Sequence, residues 1–272
     1  MKSIEEKRAE FRRLHESGCF AIPNPWDVGT AKYLQNLGFK AIATTSAGFA
    51  FSRGLADGSV KRDDMIAHIR ELVEATDIPV NADFENGYAD DPNWCAENAR
   101  LCAETGVAGL SIEDAADRNE SPIYDVDLAV DRIHAVREAL HGTGVLLVAR
   151  AEGFLVGREN LDQVIKRLVK YSEAGAGCLY APGFDKREEI KAIVEAVAPK
   201  PVSVLIGRAG GVTMRDAEEL GARRVSVGGA FARAAWGGFI RSAKELLDKG
   251  TFEGLKHAAS YADLQKFFQA RV

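Results

Sequence analysis

The chain has 272 residues, 46% hydrophobic and 28% charged, with a formal net charge of −5; interspersed charges without a basic stripe speak against nucleic acid and membrane partners. No apolar run approaches the roughly 18 residues of a membrane span, and the charged start Met1-Lys2-Ser3-Ile4-Glu5-Glu6-Lys7 lacks the apolar centre of a signal peptide. Cys19, Cys95, Cys102 and Cys178 stand apart with no C-x-x-C, the pattern of a reduced, cytoplasmic protein with buried thiols.

Residues 3–17 mix charged and apolar positions and read as an amphipathic helix. Cys19 to Ile22 is a short strand stopped by Pro23-Asn24-Pro25, and Val28 to Leu37 is a helix ended by Gly38. Ala41 to Thr45 is the second strand, followed by the small residues Ser46-Ala47-Gly48 and a long loop carrying Arg53 to Gly58. A helix over Lys61 to Ala75 leads to the third strand, Ile78 to Asp83. The unit then repeats. Strands at Gly109 to Glu113, Val145 to Arg150, Cys178 to Ala181, Val202 to Ile206 and Val225 to Val227 alternate with helices at Trp94 to Thr105, Leu128 to Leu140, Leu161 to Ala174, Lys186 to Val197 and Arg215 to Leu220. Residues 231–248 and 252–270 are two further helical stretches. An E-x-G phrase recurs at Glu104-Thr105-Gly106, Glu173-Ala174-Gly175 and Glu219-Leu220-Gly221, where a helix stops before the next strand.

Eight apolar strands, each followed by a helix, imply a parallel sheet closed into a (β/α)8 barrel. The expected organisation is one barrel domain over residues 1–272, with 251–272 as a C-terminal helical extension. An open doubly wound sheet would call for a G-x-G-x-x-G turn after the first strand, and Pro23-Asn24-Pro25-Trp26 is not one.

In such a barrel, chemistry gathers at the C-terminal ends of the strands. Those ends carry Asn24 and Asp27, then Thr44, Thr45, Ser46 and Gly48, then Asp83 and Glu85, Glu113 and Asp114, Arg150 and Glu152, Tyr180, Gly207, and Gly228-Gly229. Asp83, Glu85 and Glu113 suit a hard cation with oxygen ligands. Mg2+ keeps several waters and takes one or two carboxylates; Mn2+ is the alternative. The competing reading is that these acids are solvated or paired with lysines. Arg150 suits bidentate recognition of a carboxylate or phosphonate, or else a structural ion pair with Glu152 or Glu113. Thr45-Ser46-Ala47-Gly48 reads either as an anion-binding nest or as a plain turn. All five histidines (His15, His68, His134, His141, His257) fall on helices or helix ends, and no cysteine lies after strands two to five. A zinc site, a Cys/His nucleophile and His-based acid catalysis are therefore disfavoured. The polar segments from Arg53 to Arg62 and from Asp114 to Asp125 are either lids or solvated loops.

Asn81-Ala82-Asp83-Phe84-Glu85-Asn86-Gly87-Tyr88, Ser111-Ile112-Glu113-Asp114, Val148-Ala149-Arg150-Ala151-Glu152 and Thr44-Thr45-Ser46-Ala47-Gly48 together resemble the isocitrate lyase/phosphoenolpyruvate mutase superfamily, from about Ala21 to Phe239. The resemblance implies a Mg2+-dependent barrel acting on 2-oxo acids, or on acids that cleave to them. Asp83 would be the direct metal ligand, and Asp57, Glu85 and Glu113 would hold metal-bound waters. Ser46, Ala47 and Gly48, with Thr45 beside them, would bind the carboxylate of a pyruvoyl unit. Arg150 would bind substrate and offset enolate charge. The resemblance also implies a homo-oligomer, a dimer or tetramer in which the stretch from Thr251 to Val272 packs on a neighbouring subunit.

The departures are informative. Isocitrate and methylisocitrate lyases carry K-x-C-G-H after the Glu113 equivalent, where this chain has Ala115-Ala116-Asp117-Arg118-Asn119-Glu120-Ser121. Phosphonomutases use a loop Lys and Asn and a histidine after strand six; Asn119 matches the Asn, while Ala181 stands at the histidine position. Glu85 replaces the usual second Asp. The expectation is a Mg2+-dependent lyase that cleaves a C–C bond of a small 2-oxo or 2-hydroxy di-acid through a pyruvate-type enolate, like an oxaloacetate decarboxylase or a substituted-malate lyase. Arg150, Glu113, Asn119 and Tyr180 are the catalytic candidates, with Tyr124 a further proton donor. The alternatives are P–C chemistry, as a phosphonopyruvate hydrolase or phosphoenolpyruvate phosphonomutase, and a non-catalytic barrel that binds a small acid.

Overall fold

The computed structural model describes residues 2–116 and 122–269. Among them, eight parallel strands form one nearly closed barrel: β1 (Phe20–Ile22), β2 (Ile42–Ala43), β3 (Val80–Asp83), β4 (Gly109–Glu113), β5 (Leu146–Arg150), β6 (Cys178–Tyr180), β7 (Val202–Leu205) and β8 (Arg224–Ser226). Each is paired with its sequence neighbour from β2 through β8, and β8 returns to β1. The connecting helices are α2 (Val28–Asn36), α3 (Ser46–Ser52), α4 (Arg62–Ala75), α5 (Pro92–Ala103), α6 (Val126–Ala139), α7 (Leu161–Glu173), α8 (Arg187–Val197) and α9 (Met214–Glu219), with α1 (Ile4–Leu14) preceding β1. The expected (β/α)8 fold is the one observed. No described helix is long and apolar enough to cross a membrane.

The chain divides into two compact units, Met1–Ala230 and Phe231–Val272. The first holds the barrel. The second is built from α10 (Ala230–Lys249) and α11 (Tyr261–Gln269), joined through a 3-10 turn at Glu253–His257. Glu245 fastens that turn by accepting from Thr251 Oγ1 and from the backbone N–H of Glu253 (3.0 Å) and Gly254 (2.6 Å).

The two ends of the barrel are made differently. At the bottom, α1 inserts Phe11 against Gly109, where a Cβ would meet Phe11 Cε1 at 2.4 Å. Phe11 is fully buried with Ile22, Ala41, Ala43 and Ala108. The cations of α1 go to carbonyls at the base: Lys7 to Val73 and Thr76, and Arg8 to Ala103, Val107 and Thr143. Carbonyls left unpaired where α4 and α5 end are natural partners for such donors. Inside the barrel, Arg224 is buried and donates to Ser203 Oγ (3.0 Å) and Asn81 Oδ1 (3.1 Å).

At the top, side chains replace ladder bonds. β2 is shorter than the expected Ala41 to Thr45 because its two threonines take other roles. Thr44 Oγ1 accepts from Asp83 N (2.8 Å), and Thr45 Oγ1 caps α3 by accepting from Gly48 N (3.2 Å). Ser46-Ala47-Gly48 is consequently the first turn of a short helix. Buried Asn24 joins three strand ends. Its Nδ2 donates to Thr44 O (2.8 Å), and its Oδ1 accepts from Val227 N (3.0 Å) and Gly228 N (2.8 Å).

Asn24 thus supplements the backbone bond from Ala43 N to Pro23 O (3.0 Å) between the ends of β1 and β2. Asn24→Ala strands two donors and one acceptor, so an expected loss of about 2–4 kcal/mol should appear as a lower urea midpoint with an unchanged m-value. A midpoint equal to the parent's would show that closure does not depend on Asn24.

Candidate active site at the barrel mouth

Three carboxylates from three adjacent strands meet one guanidinium at the mouth. Arg150 ends β5 directly opposite Glu113, its partner in register on β4. Its Nη1 lies 3.2 Å from Glu113 Oε2 and 3.3 Å from Asp83 Oδ1, while its Nε is paired with Glu152 Oε1. The guanidinium also lies over the Tyr180 ring, 5.2 Å from its centre. The ion pair anticipated as the plain alternative for Arg150 is therefore present, with both Glu152 and Glu113. It coexists with exposure of the group to the mouth.

Each acid is held by a different device. Asp83 Oδ2 accepts from both the backbone N–H and the hydroxyl of Ser46, each at 3.0 Å. Glu113 donates its backbone N–H to Glu85 O (3.0 Å), which joins the loop after β3 to the end of β4. Glu152 is almost fully buried, and its N–H donates to Asp114 Oδ1 (2.7 Å). Asp114 Oδ2 in turn accepts from Tyr171 OH (2.6 Å) and lies 3.4 Å from Arg167 Nη1; Arg167 Nε donates to Glu159 (2.7 Å).

Three acids sharing one cation set the protonation balance. Burial disfavours a charged Arg150, but the carboxylates of Glu152, Glu113 and Asp83 outweigh it and hold the guanidinium cationic. Burial pushes Glu113 well up, and Glu152 and Asp83 add to this against the pull of Arg150. Burial and then the Asp83 charge push Glu85 up to about 7. Asp114 is raised to about 6, again first by burial.

Beside this cluster opens a cavity of about 700 Å³, with Asp57, Glu85, Tyr88, Asp90, Glu113 and Ala115 in its wall. Asp57 stands on an exposed loop and accepts from Gly58 N (3.1 Å). The structure therefore gathers Asp83, Glu113 and Arg150 tightly, with Ser46 on Asp83, and places Glu85 and Asp57 along the adjoining cavity. Thr45 is buried in its capping role, and Gly48 N is engaged by that cap. Ala47 follows Ser46 in the first turn of α3. Tyr180 is buried beneath Arg150, and Ala181 is buried after it. Tyr124 is buried too, donating to Asp90 Oδ1 (2.7 Å) and accepting from Asn86 Nδ2 (2.9 Å). Asn119 lies outside the described residues. Ala115 and Ile123 form an antiparallel bridge at the base of that loop. Among the mouth residues, Asn24 and Asp27 are structural: Asn24 joins strand ends, and Asp27 caps α2.

Two arginines went unremarked in the sequence. Arg132 and Arg167 interrupt the buried faces of α6 and α7, among Ala129, Ile133 and Val136 and among Val164, Leu168 and Tyr171. A cation in an apolar helical stripe is the signal that would have found them. Arg132 donates to the carbonyls of Asn86, Ala89 and Asp90, and so holds the loop after β3.

The donor set is entirely hard oxygen. Asp83 and Glu113 already converge on one cationic atom, Arg150 Nη1. Among the described residues no group of three or more His, Cys, Asp or Glu side chains is placed to hold an ion by itself. These residues fit a divalent cation that takes one direct carboxylate and keeps most of its water.

The family model for phosphoenolpyruvate phosphomutase matches residues 11–247. A crystal structure of a provisionally assigned lyase/mutase from Burkholderia cenocepacia J2315 is 47% identical, covers 98% of this chain and 97% of its own, and superposes with a TM-score of 0.94. The 2-methylisocitrate lyase of Bacillus subtilis (strain 168) is 28% identical over 208 residues, 74% of this chain and 67% of that protein. The 2,3-dimethylmalate lyase of Eubacterium barkeri is 27% identical over 198 residues, 70% of this chain and 68% of that protein.

The raised Glu85 predicts a pH dependence of stability in the absence of divalent cations. The folded state binds this proton more tightly than the unfolded chain. Its contribution is full below the ordinary value of 4.5 and is lost as pH rises to about 7. Glu85→Gln should flatten the decline across that window and be relatively more stable above it. Urea unfolding at a series of pH values measures this; an unchanged slope in the variant would exclude Glu85 as its source.

Proposed function

Because the chain belongs to the phosphoenolpyruvate phosphomutase family, within the isocitrate lyase/phosphoenolpyruvate mutase superfamily, we propose that it is a Mg2+-dependent lyase that cleaves a carbon–carbon bond of a small 2-oxo or 2-hydroxy di-acid through a pyruvate-type enolate. The observation that carries this reading is Arg150 Nη1 held between Asp83 and Glu113 at the open end of the barrel. A cation fixed beside acids suited to a divalent ion is a means of stabilising an oxyanion that forms during reaction.

Asp83, oriented by Ser46, would hold Mg2+ directly, with Mn2+ as a substitute; Glu85, Glu113 and Asp57 would accept from its water shell. Bound there, such an ion supplies Lewis acidity toward the 2-oxo and carboxylate oxygens. Arg150 places a second positive charge near the developing enolate oxygen. It stays cationic because Glu152 and Glu113 surround it, and Glu152 is itself located by its N–H bond to Asp114. As the C–C bond breaks, its electron pair passes into the enolate, which water then protonates. Decarboxylation of an oxaloacetate-like acid demands least, since it needs an electron sink and no acid thiol. Cleavage of a substituted malate is the next candidate. There a carboxylate of the mouth would take the 2-hydroxyl proton, and C2 would become the carbonyl of the 2-oxo product. The electron pair of the C2–C3 bond would pass to the enolate of the departing carboxylate, which is then protonated. The names of the two curated lyases above support C–C chemistry. A buried Ala181 after β6, where phosphonomutases carry histidine, supports it over P–C chemistry. The reading includes a cytoplasmic homo-oligomer, supported by the exposed Phe239, Leu247, Phe252 and Tyr261 of the second unit.

Pyruvate formation from a panel of oxaloacetate, substituted malates and phosphonopyruvate tests the reaction. Activity should require Mg2+, and Asp83→Ala should abolish turnover and metal dependence together. Arg150→Lys should lower kcat by about 10²- to 10³-fold. Inorganic phosphate released from phosphonopyruvate would replace the C–C reading with P–C chemistry. Tight binding without any product would favour a non-catalytic barrel. Sedimentation should give a dimer or tetramer, and a monomer at micromolar concentration would remove the oligomer from the proposal.

A further inference from the structure

The loop that leaves β3 has an unusual backbone. Glu85 has φ +48° and Tyr88 has φ +58°, with Gly87 between them at +76°. Side chains other than glycine rarely adopt this region, and it persists where surrounding contacts impose it. Here the contacts are explicit. Arg132 takes the carbonyls of Asn86, Ala89 and Asp90, and Asn98 Nδ2 donates to Gly87 O at 2.9 Å. Asn86 Oδ1 accepts from Tyr88 N at 2.9 Å. Cys95 Sγ sits where a Cβ on residue 87 would be, 2.5 Å from that position, so the turn cannot relax toward a bulkier residue there.

This conformation has a directional consequence. It brings the side chains of residues 85 and 88, three apart, into one cavity wall, and the phenol of Tyr88 donates to Glu85 Oε1 at 3.1 Å. The ring is located independently, edge-on to buried Phe84 with centroids 5.0 Å apart. A tyrosine whose ring is fixed by packing and whose hydroxyl meets a carboxylate at the mouth is a rigid arm. Glu85 needs one, because its side chain has one more rotatable bond than aspartate and samples more positions when unheld. An aspartate at residue 85 would be a methylene too short to use the same hydroxyl.

We infer that Tyr88 is a positioning residue: its hydroxyl holds the Glu85 carboxylate at the place from which it supports the divalent-cation site. This rests on the metal reading proposed above, and the test separates the two. Tyr88→Phe keeps the ring and removes the bond. Mn2+ is the probe, its free concentration read by electron paramagnetic resonance, so that no substrate or turnover is involved. Tyr88→Phe should weaken Mn2+ binding about tenfold, the scale for residues that orient metal-site groups. Glu85→Asp should weaken it similarly. The decisive sample is the double variant. If Tyr88 acts through Glu85, Tyr88→Phe has no further effect once residue 85 is aspartate. An equal loss in both backgrounds, or no loss in the parent background, would overturn the inference while leaving the metal site intact. Failure of the parent protein to bind Mn2+ at all would overturn both.

Discussion

The site depends on one guanidinium shared by three carboxylates. Asp83, Glu113 and Glu152 come from the ends of β3, β4 and β5, and parallel pairing in register delivers them to the same side of the barrel. Without Arg150 the mouth would concentrate negative charge in a partly desolvated space, at a cost that water at the rim could only partly offset. With it, one cation satisfies parts of three acids and fully neutralises none. Burial raises the proton affinity of Glu113, and of Glu85 beside it, against the pull of that one cation. A fold selected for stability alone would pair these charges one to one or replace them by apolar groups.

The arrangement is held from behind by cations on helices. Arg167 of α7 and Arg132 of α6 come from faces that otherwise pack apolar side chains. One supports Asp114, which locates the backbone of Glu152; the other grips the carbonyls of the loop after β3. Both arginines sit on regular elements, so each ties a segment at the mouth to a helix of the outer layer. Tyr171 and Tyr88 act as shorter struts within the same frame.

The barrel's two ends divide the work. The base is sealed by α1, with Phe11 as an apolar plug and Lys7 and Arg8 on backbone carbonyls. Nothing there varies the chemistry; it contributes stability. The top trades ladder bonds for side-chain bonds from Asn24, Thr44, Thr45 and Ser46. Two of these hold strand ends together, one starts a helix and one orients Asp83.

Period and punctuation sufficed for the architecture. Short apolar runs alternating with amphipathic stretches, ended by Gly and Pro, specify βα units because neighbouring parallel strands need a crossover long enough to hold a helix, and eight such units close on themselves. The same rule placed Asp83, Glu85, Glu113 and Arg150 at the mouth, since a strand's last side chains must emerge at its C-terminal end. Pairing was legible only in part. An ion pair of Arg150 with Glu152 or Glu113 was one of two readings the residues allowed. That Arg150 also meets Asp83, that Ser46 is bonded to Asp83, and that Thr45 caps a helix depend on rotamers and on distances across strands far apart in the chain. Arg132, Arg167 and the Tyr88 to Glu85 bond were hidden for a related reason. Their partners are backbone carbonyls or carboxylates whose positions exist only once the loops have been folded around them, so only the tertiary structure decided which polar side chain serves the site and which serves the fold.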